Sequence, residues 1–387
     1  METHVRSLTS SDYGECLQLM NEVFGEGDSQ PMQMERDLPK EFESEQQFTA
    51  PHWGVVCGGQ LRAVVGCYPM TLCIGSTHIA CATVGNVVTH ADFRNQGMMQ
   101  TLMGYAMRAL ADQGILLSRL NGLRLRYNRY GYERAGTVSR CTLTAANVQQ
   151  RVAPRCYAPF SFRKMELEDA QTAQALYQTR AAYILRGTPD VFLRVLHSHF
   201  MQPWVVLDAA KQIVGYLTAS ANGAQINECV MRTEAERLYA ISAWMEQGAL
   251  AQTQSPLYPW ETEALQAFGD VCETIQDSSP SMFKVLGWAQ VADAFMKLKQ
   301  RYSAMVEGEI VIKIEDFGKL CFAVHGEEAA CTPSRRTADV SLSHRDATRL
   351  IFGPTPPSTV RALPRNAQQL LGAWFPLPLS WFPQDNV

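Results

Sequence analysis

Residues 84–110 read VGNVVTHADFRNQGMMQTLMGYAMRAL. Val84, Val87 and Val88 mark a buried strand. A short polar turn follows. From there Met98, Leu102, Ala106 and Leu110 recur at the spacing of one helix face, and Gly114 closes the helix. A strand that enters a helix through Arg94-x-x-Gly97 turns unpaired N–H groups, and the positive end of the helix, toward an anion. Gly97 has no Cβ, so a phosphate can approach the backbone closely. The stretch therefore reads as a pyrophosphate cradle; the alternative is an ordinary strand–turn–helix corner.

Outward from the cradle, residues 1–150 read as mixed α/β. Ser11-Asp12 caps a helix through Cys16, Leu17 and Met20. Trp53 to Cys57 and Ala63 to Met70 alternate like strands and are joined by Gly58-Gly59, a hairpin signal. Thr71 to Ile74 and His78 to Val88 continue the sheet, Ile115 to Leu120 is the next strand, and Val138 to Leu143 closes the unit. Residues 151–285 repeat the plan faintly. A helix starts at Glu168-Asp169-Ala170, a hairpin turns around Asp208 to Lys211, and a strand at Ala224 to Met231 precedes a helix at Glu234 to Gly248. No Arg-x-x-Gly turn joins that strand to that helix. Residues 286–387 differ. They hold a helix from Ala289 to Tyr302, a hairpin across Asp316-Phe317-Gly318, and a helix from Ser343 that Gly353 ends.

The chain of 387 residues has room for two or three domains. Apolar content of 46% and charged content of 19% are ordinary for a globular protein. A net charge of −4 argues against nucleic acid as the main partner. The eleven cysteines are odd in number, scattered and without Cys-x-x-Cys, which reads as reduced, buried thiols in a cytoplasmic protein. His197-x-His199 sits in a helical pattern, where such a pair does not share a face, so no metal site is expected. No run approaches the ~20 apolar residues of a membrane span. There is no nucleophile elbow and no Walker-type loop.

Arg94-x-x-Gly97 after a Val-rich strand resembles motif A of the GNAT acetyltransferases, which holds the pyrophosphate of acetyl-CoA. Met99 stands where most of that superfamily has Gly or Ala, and fits the enhanced-intracellular-survival (Eis) branch, which carries Leu or Met there. Tyr127-Asn-Arg-Tyr-Gly-Tyr132-Glu resembles the Tyr-x-[RK]-[FY]-Gly-[YF] element of the same branch. The resemblance implies an α/β (α+β) fold: an active GNAT domain over 1–150, a degenerate GNAT-like domain over 151–285, and a sterol-carrier-protein-like domain over 286–387. It also implies acetyl-CoA as cosubstrate, a small amine or a peptide lysine as acceptor, and a homo-oligomer, often a hexamer.

On that resemblance the cofactor residues are Arg94, the backbone of Asn95, Gln96, Gly97, Met98, Met99 and Gln100, the strand edge at Val87, Val88 and Thr89, and Asn121. Tyr127 is the acid. A phenol near pKa 10 facing a thiol near 8.5 makes full proton transfer uphill by roughly 2 kcal/mol, so Tyr127 is expected to hydrogen-bond the developing thiolate. The family places the chain's terminal carboxylate in the site, here that of Val387. Asp385 matches the family's tail, whereas Val387 departs from its usual Phe. Direct deprotonation of an ammonium by such a carboxylate is uphill by roughly 9 kcal/mol, so it is expected to hold the ammonium and pass the proton through water. Glu26 and Asp28 border the acceptor cleft on the family plan, with a solvated loop as the alternative. The rival to this enzyme is a lipid- or acyl-CoA-binding protein with a vestigial acetyltransferase domain.

Overall fold

A computed structural model describes residues 3–26, 31–152 and 160–387; Asp28 lies outside them. The first sheet orders β1 (Thr3–Ser7), β2 (His52–Cys57), β3 (Gln60–Ile74), β4 (Thr77–Thr89), β5 (Leu117–Leu120) and β6 (Glu133–Ala135), with the strand Ser281–Val285 inserted between β5 and β6. The β2–β3 turn has φ of 58° at Gly58 and 80° at Gly59, which the primed hairpin turn requires. Strand alternation then sorts the core. Val64 and Val88 face α1 (Tyr13–Gly25), while Ala63, Val65 and Val84 face α2 (Met98–Asp112).

The same plan occurs a second time. Four antiparallel strands, Ser161–Lys164, Met201–Leu207, Ile213–Ser220 and Ile226–Met231, lead to the helix Glu234–Gln247. A three-stranded arm completes it, with β7 (Val138–Thr144) between Gln252–Leu257 and Thr274–Ser278.

This corrects the sequence expectation for Val138–Leu143, which does not close the first unit. The two units exchange strands: β7 enters the second, and Ser281–Val285 enters the first. The turn after β6 explains the departure. Gly136, at φ 79°, donates to the carbonyl of Phe352 at 2.9 Å, and Thr137 donates to that of Leu379 at 2.8 Å. The chain is thereby held against the C-terminal segment and led away from its own sheet.

Residues 286–387 pack the helix Trp288–Tyr302 on a sheet of Gly308–Ile314, Gly318–His325 and Glu328–Pro333, with Val340–Leu342 added in parallel. Ser343 caps the helix His344–Phe352, accepting from the N–H of Asp346. No helix among the described residues is long and apolar enough to cross a membrane.

Candidate active site

Gly97 takes φ 79° and stands as the N-cap of α2, and Asn95 is also left-handed at φ 64°. No side chain caps this helix, so its first N–H groups remain open to an outside acceptor. A Cβ at Gly97 would meet nothing within 4 Å and would project into open space. That space belongs to a cavity of about 630 Å³, within the size range of ligand sites. Arg94, Asn95, Gly97, Met98, Met99 and Gln100 line it, as do Val87 and Thr89. Gln96 does not; its amide turns back to the Asp92 carbonyl at 3.3 Å. Val88 points to the other face of the sheet, so only its backbone can serve an edge. Arg94 pairs with Glu26, which puts that sequence candidate at the mouth of the cradle. Phe24, Arg126 and Arg129 also line the cavity; the motif reading gave the two arginines no role.

The edge that faces this cavity is opened by a bulge. β4 pairs with β5 only from Cys81 to Thr83, and beyond that the two strands diverge. Asn86 is left-handed at φ 52°, and the register with β3 slips beside it. A buried chain of hydrogen bonds fixes the bulge. Asn86 Nδ2 donates to the Tyr68 hydroxyl at 2.5 Å, and that hydroxyl donates to His52 Nε2 at 2.8 Å. His52 Nδ1 donates to the Ala50 carbonyl at 2.7 Å, and this bond sets the tautomer. Burial lowers the His52 pKa to about 4, so the ring is neutral.

Tyr127 ends a short helical turn, Arg124–Tyr127. It is buried in the core with Leu102, Leu120 and Met282, next in sequence to the cavity-lining Arg126 but not itself in the lining. Burial raises its pKa, with Arg126 opposing. The phenol is therefore neutral, a donor rather than a base. Asn121, at the end of β5, is outside the cavity lining, and its Oδ1 accepts from Ser281 at 2.6 Å.

The C-terminal tail is docked. Leu377, Leu379, Trp381 and Phe382 are buried, with Phe382 against Tyr258 and Trp260. Arg119 of β5, fully buried, holds its guanidinium 5.7 Å from the Trp381 ring centroid; burial lowers its pKa to about 9. Val387 ends against β4, where a Cβ on Gly85 would stand 3.3 Å from the Val387 carbonyl oxygen. Lys40 Nζ donates to the carbonyls of Gln384 at 2.8 Å and Asn386 at 2.5 Å. His199, dismissed as a metal ligand from sequence, has its Nε2 3.0 Å from the Asn386 carbonyl. Beside the tail a second cavity of about 490 Å³ is lined by Lys40, Glu41, Tyr68, Arg186 and Asp385 among others. Burial pushes the Glu41 carboxyl above the ordinary range, with Lys40 opposing.

The equivalent helix of the second unit offers no cradle. Thr233 and Glu236 form a reciprocal capping box at its start, and Glu234 adds a carboxylate to the first turn. The carboxylates of Glu234 and Glu236 stand where an anion would sit and repel it. Among the described residues no cluster of three or more His, Cys, Asp or Glu could hold a metal.

Residues 4–135 match the family model of the acetyltransferase (GNAT) domain. No curated protein matches in sequence. Among solved structures, a GCN5-related N-acetyltransferase from Kribbella flavida is 19% identical, with a TM-score of 0.67 over 98% of both chains. One from Anabaena variabilis is 15% identical, with a TM-score of 0.70 over 97% of each. Eis1 from Mycobacterium abscessus is 15% identical, with a TM-score of 0.67 over 99% of this chain and 100% of its own. Residues 4–135 thus carry a GNAT acetyltransferase domain, and the chain as a whole shares the fold of these structures, Eis1 among them.

Proposed function

We propose that the chain is an acetyl-CoA-dependent N-acetyltransferase whose active segment is 1–150. Residues 151–285 are a copy without a cradle, and 286–387 supply the terminal carboxylate. Support comes from what meets on β4: its free edge at Val87 and Thr89, the Gly97 turn it feeds, and Val387 at Gly85.

Acetyl-CoA supplies the acetyl group as an activated thioester. The N–H groups of Asn95 to Gln100 and the charge of Arg94 hold its pyrophosphate, with Arg126 and Arg129 adding charge across the cavity. The edge at Val87, Val88 and Thr89 pairs with the pantetheine amides and turns an N–H toward the thioester oxygen, where negative charge grows during attack. Asn121 is a weaker contact at the far side of the gap. The acceptor amine enters from the second cavity, beside the tail. The Val387 carboxylate orients that ammonium and passes one proton to water. The amine nitrogen bonds to the carbonyl carbon, the carbon–sulfur bond breaks, Tyr127 hydrogen-bonds the departing thiolate, and the second proton that the nitrogen sheds converts that thiolate to CoA thiol.

CoA-thiol release with an aminoglycoside, a polyamine, a lysine peptide and a small aliphatic amine tests this. Tyr127→Phe is expected to lower kcat by about a hundredfold, more than it raises the acetyl-CoA KM. An unchanged kcat would remove Tyr127 from the chemistry. Deletion of Val387 is expected to impair transfer and leave acetyl-CoA binding intact. Binding without release for any amine would favour the ligand-binding alternative.

A further inference from the structure

Resting on the mechanism above, we infer that the cradle-less middle segment is the seat of the catalytic tail, and that Arg186 is the positioning residue that brings the Val387 carboxylate to β4. Arg186 is fully buried and grips Asp385 in a bidentate pair, Nε to Oδ1 at 3.0 Å and a terminal nitrogen to Oδ2 at 2.8 Å. Its other edge is held by Glu228 at 2.9 and 2.7 Å, and Glu228 in turn accepts from the Tyr216 hydroxyl at 2.6 Å. The guanidinium is thus held from the middle segment's own sheet as well as by the tail.

The residue before Asp385 is gripped as firmly. Gln384 Nε2 donates to the carbonyls of Val195, Leu196 and Ser198, at the C-terminal end of the helix Pro189–His197. Its Oε1 accepts from Asn227 at 2.9 Å. The residue after Asp385, Asn386, meets His199, which sits in the left-handed region at φ 64°. Side chains and carbonyls of the middle segment therefore clasp each of the three residues that precede Val387.

Stability does not account for this arrangement. A buried ion pair gains little over an apolar filling of the same shape, whereas it does fix one geometry. Burial pushes the Glu228 carboxyl up, yet Arg186 and Arg180 outweigh that and keep it ionised. The clasp is charged on both sides and directional, which suits holding a terminus that otherwise frays.

The test compares the full chain with Arg186→Gln, and with Asp385→Asn, which leaves the Arg186–Glu228 pair in place should the first variant fail to fold. Carboxypeptidase digestion followed by intact mass reads the seating; melting temperature and acetyl-CoA titration read the fold. Both variants are expected to lose their last residues about a hundredfold faster than wild type while still binding acetyl-CoA. With the amine that wild type turns over fastest, kcat is expected to fall by about a hundredfold with the acetyl-CoA KM unchanged. The same substitution made on the Val387-deleted chain is expected to cost nothing further. Tail trimming at the wild-type rate in a folded variant overturns the seating. Losses that multiply with the Val387 deletion overturn Arg186 as a positioning residue. If deletion of Val387 alone leaves kcat intact, the proposed carboxylate role fails, and the trimming rates still judge the seating separately.

Discussion

Gly97 separates binding from folding. Gly97→Val forces a β-branched residue into φ 79° but puts its side chain in open space. The expected cost is about 1–2 kcal/mol of stability, read as a modest drop in melting temperature. The acetyl-CoA Kd is expected to rise by a much larger factor, because the side chain fills the cradle. An unchanged Kd on calorimetry would place the cofactor elsewhere. His52 gives a pH signature. Its folded pKa, about 4, lies below the unfolded 6.5, so its contribution is complete above pH 6.5 and is lost as pH falls toward 4. Denaturant melts of wild type and His52→Gln are expected to differ in slope over that window by about 1.4 kcal/mol per pH unit, with the variant less acid-sensitive. Identical slopes would show that the ring is already charged in the fold. No residue next to His52 in the chain signals its role, since its partner Tyr68 is bound across a hairpin.

At the scale of elements, the bulge in β4 is the device that frees an edge. Asn86 is one of the few residues besides Gly that enter the left-handed region readily, and its amide ties the bulge to Tyr68. Asn86→Val is expected to destabilise the protein by about 2 kcal/mol in urea melts and to weaken acetyl-CoA binding, because a β-branched residue favours the regular strand that would close the gap. Wild-type acetyl-CoA affinity in that variant would show that the edge does not need the bulge. The hairpin at Gly58-Gly59 and the α2 helix were legible because their signals are local: two glycines with positive φ, and apolar residues on one helix face. The strand β7 was legible as a strand but not as to its sheet. Alternation fixes which side chains face inward; it does not name the neighbour.

For the whole molecule, the tail is a core element and, on the proposed mechanism, a site element, and the two roles separate by length. Deleting Val387 alone removes a half-buried residue and is expected to leave the melting temperature near wild type. Deleting residues 381–387 also empties the places of Trp381 and Phe382, each fully enclosed, and is expected to cost about 3–5 kcal/mol per aromatic, enough to unfold the chain. Thermal melts of the two truncations check this; equal melting temperatures would mean that the tail's aromatics contribute no core. The strand exchange binds the first two units so that neither sheet is complete without the other.

Legible from the residues alone were the local devices: the Arg94–Gly97 turn, the amphipathic helix behind it, the Tyr127 element, the lack of an Arg-x-x-Gly turn in the second unit, and a tail apolar enough to dock. Each is written in residues close together in the chain, where turn chemistry and side-chain period act. Long-range closure of the chain decided which strands share a sheet, that Arg126 and Arg129 line the cradle cavity, that Tyr127 is buried, and that Val387 ends on Gly85. The Arg186–Asp385 pair joins residues 199 positions apart. Charge complementarity over that distance has no period or spacing to read; burial selects it when the chain closes on itself.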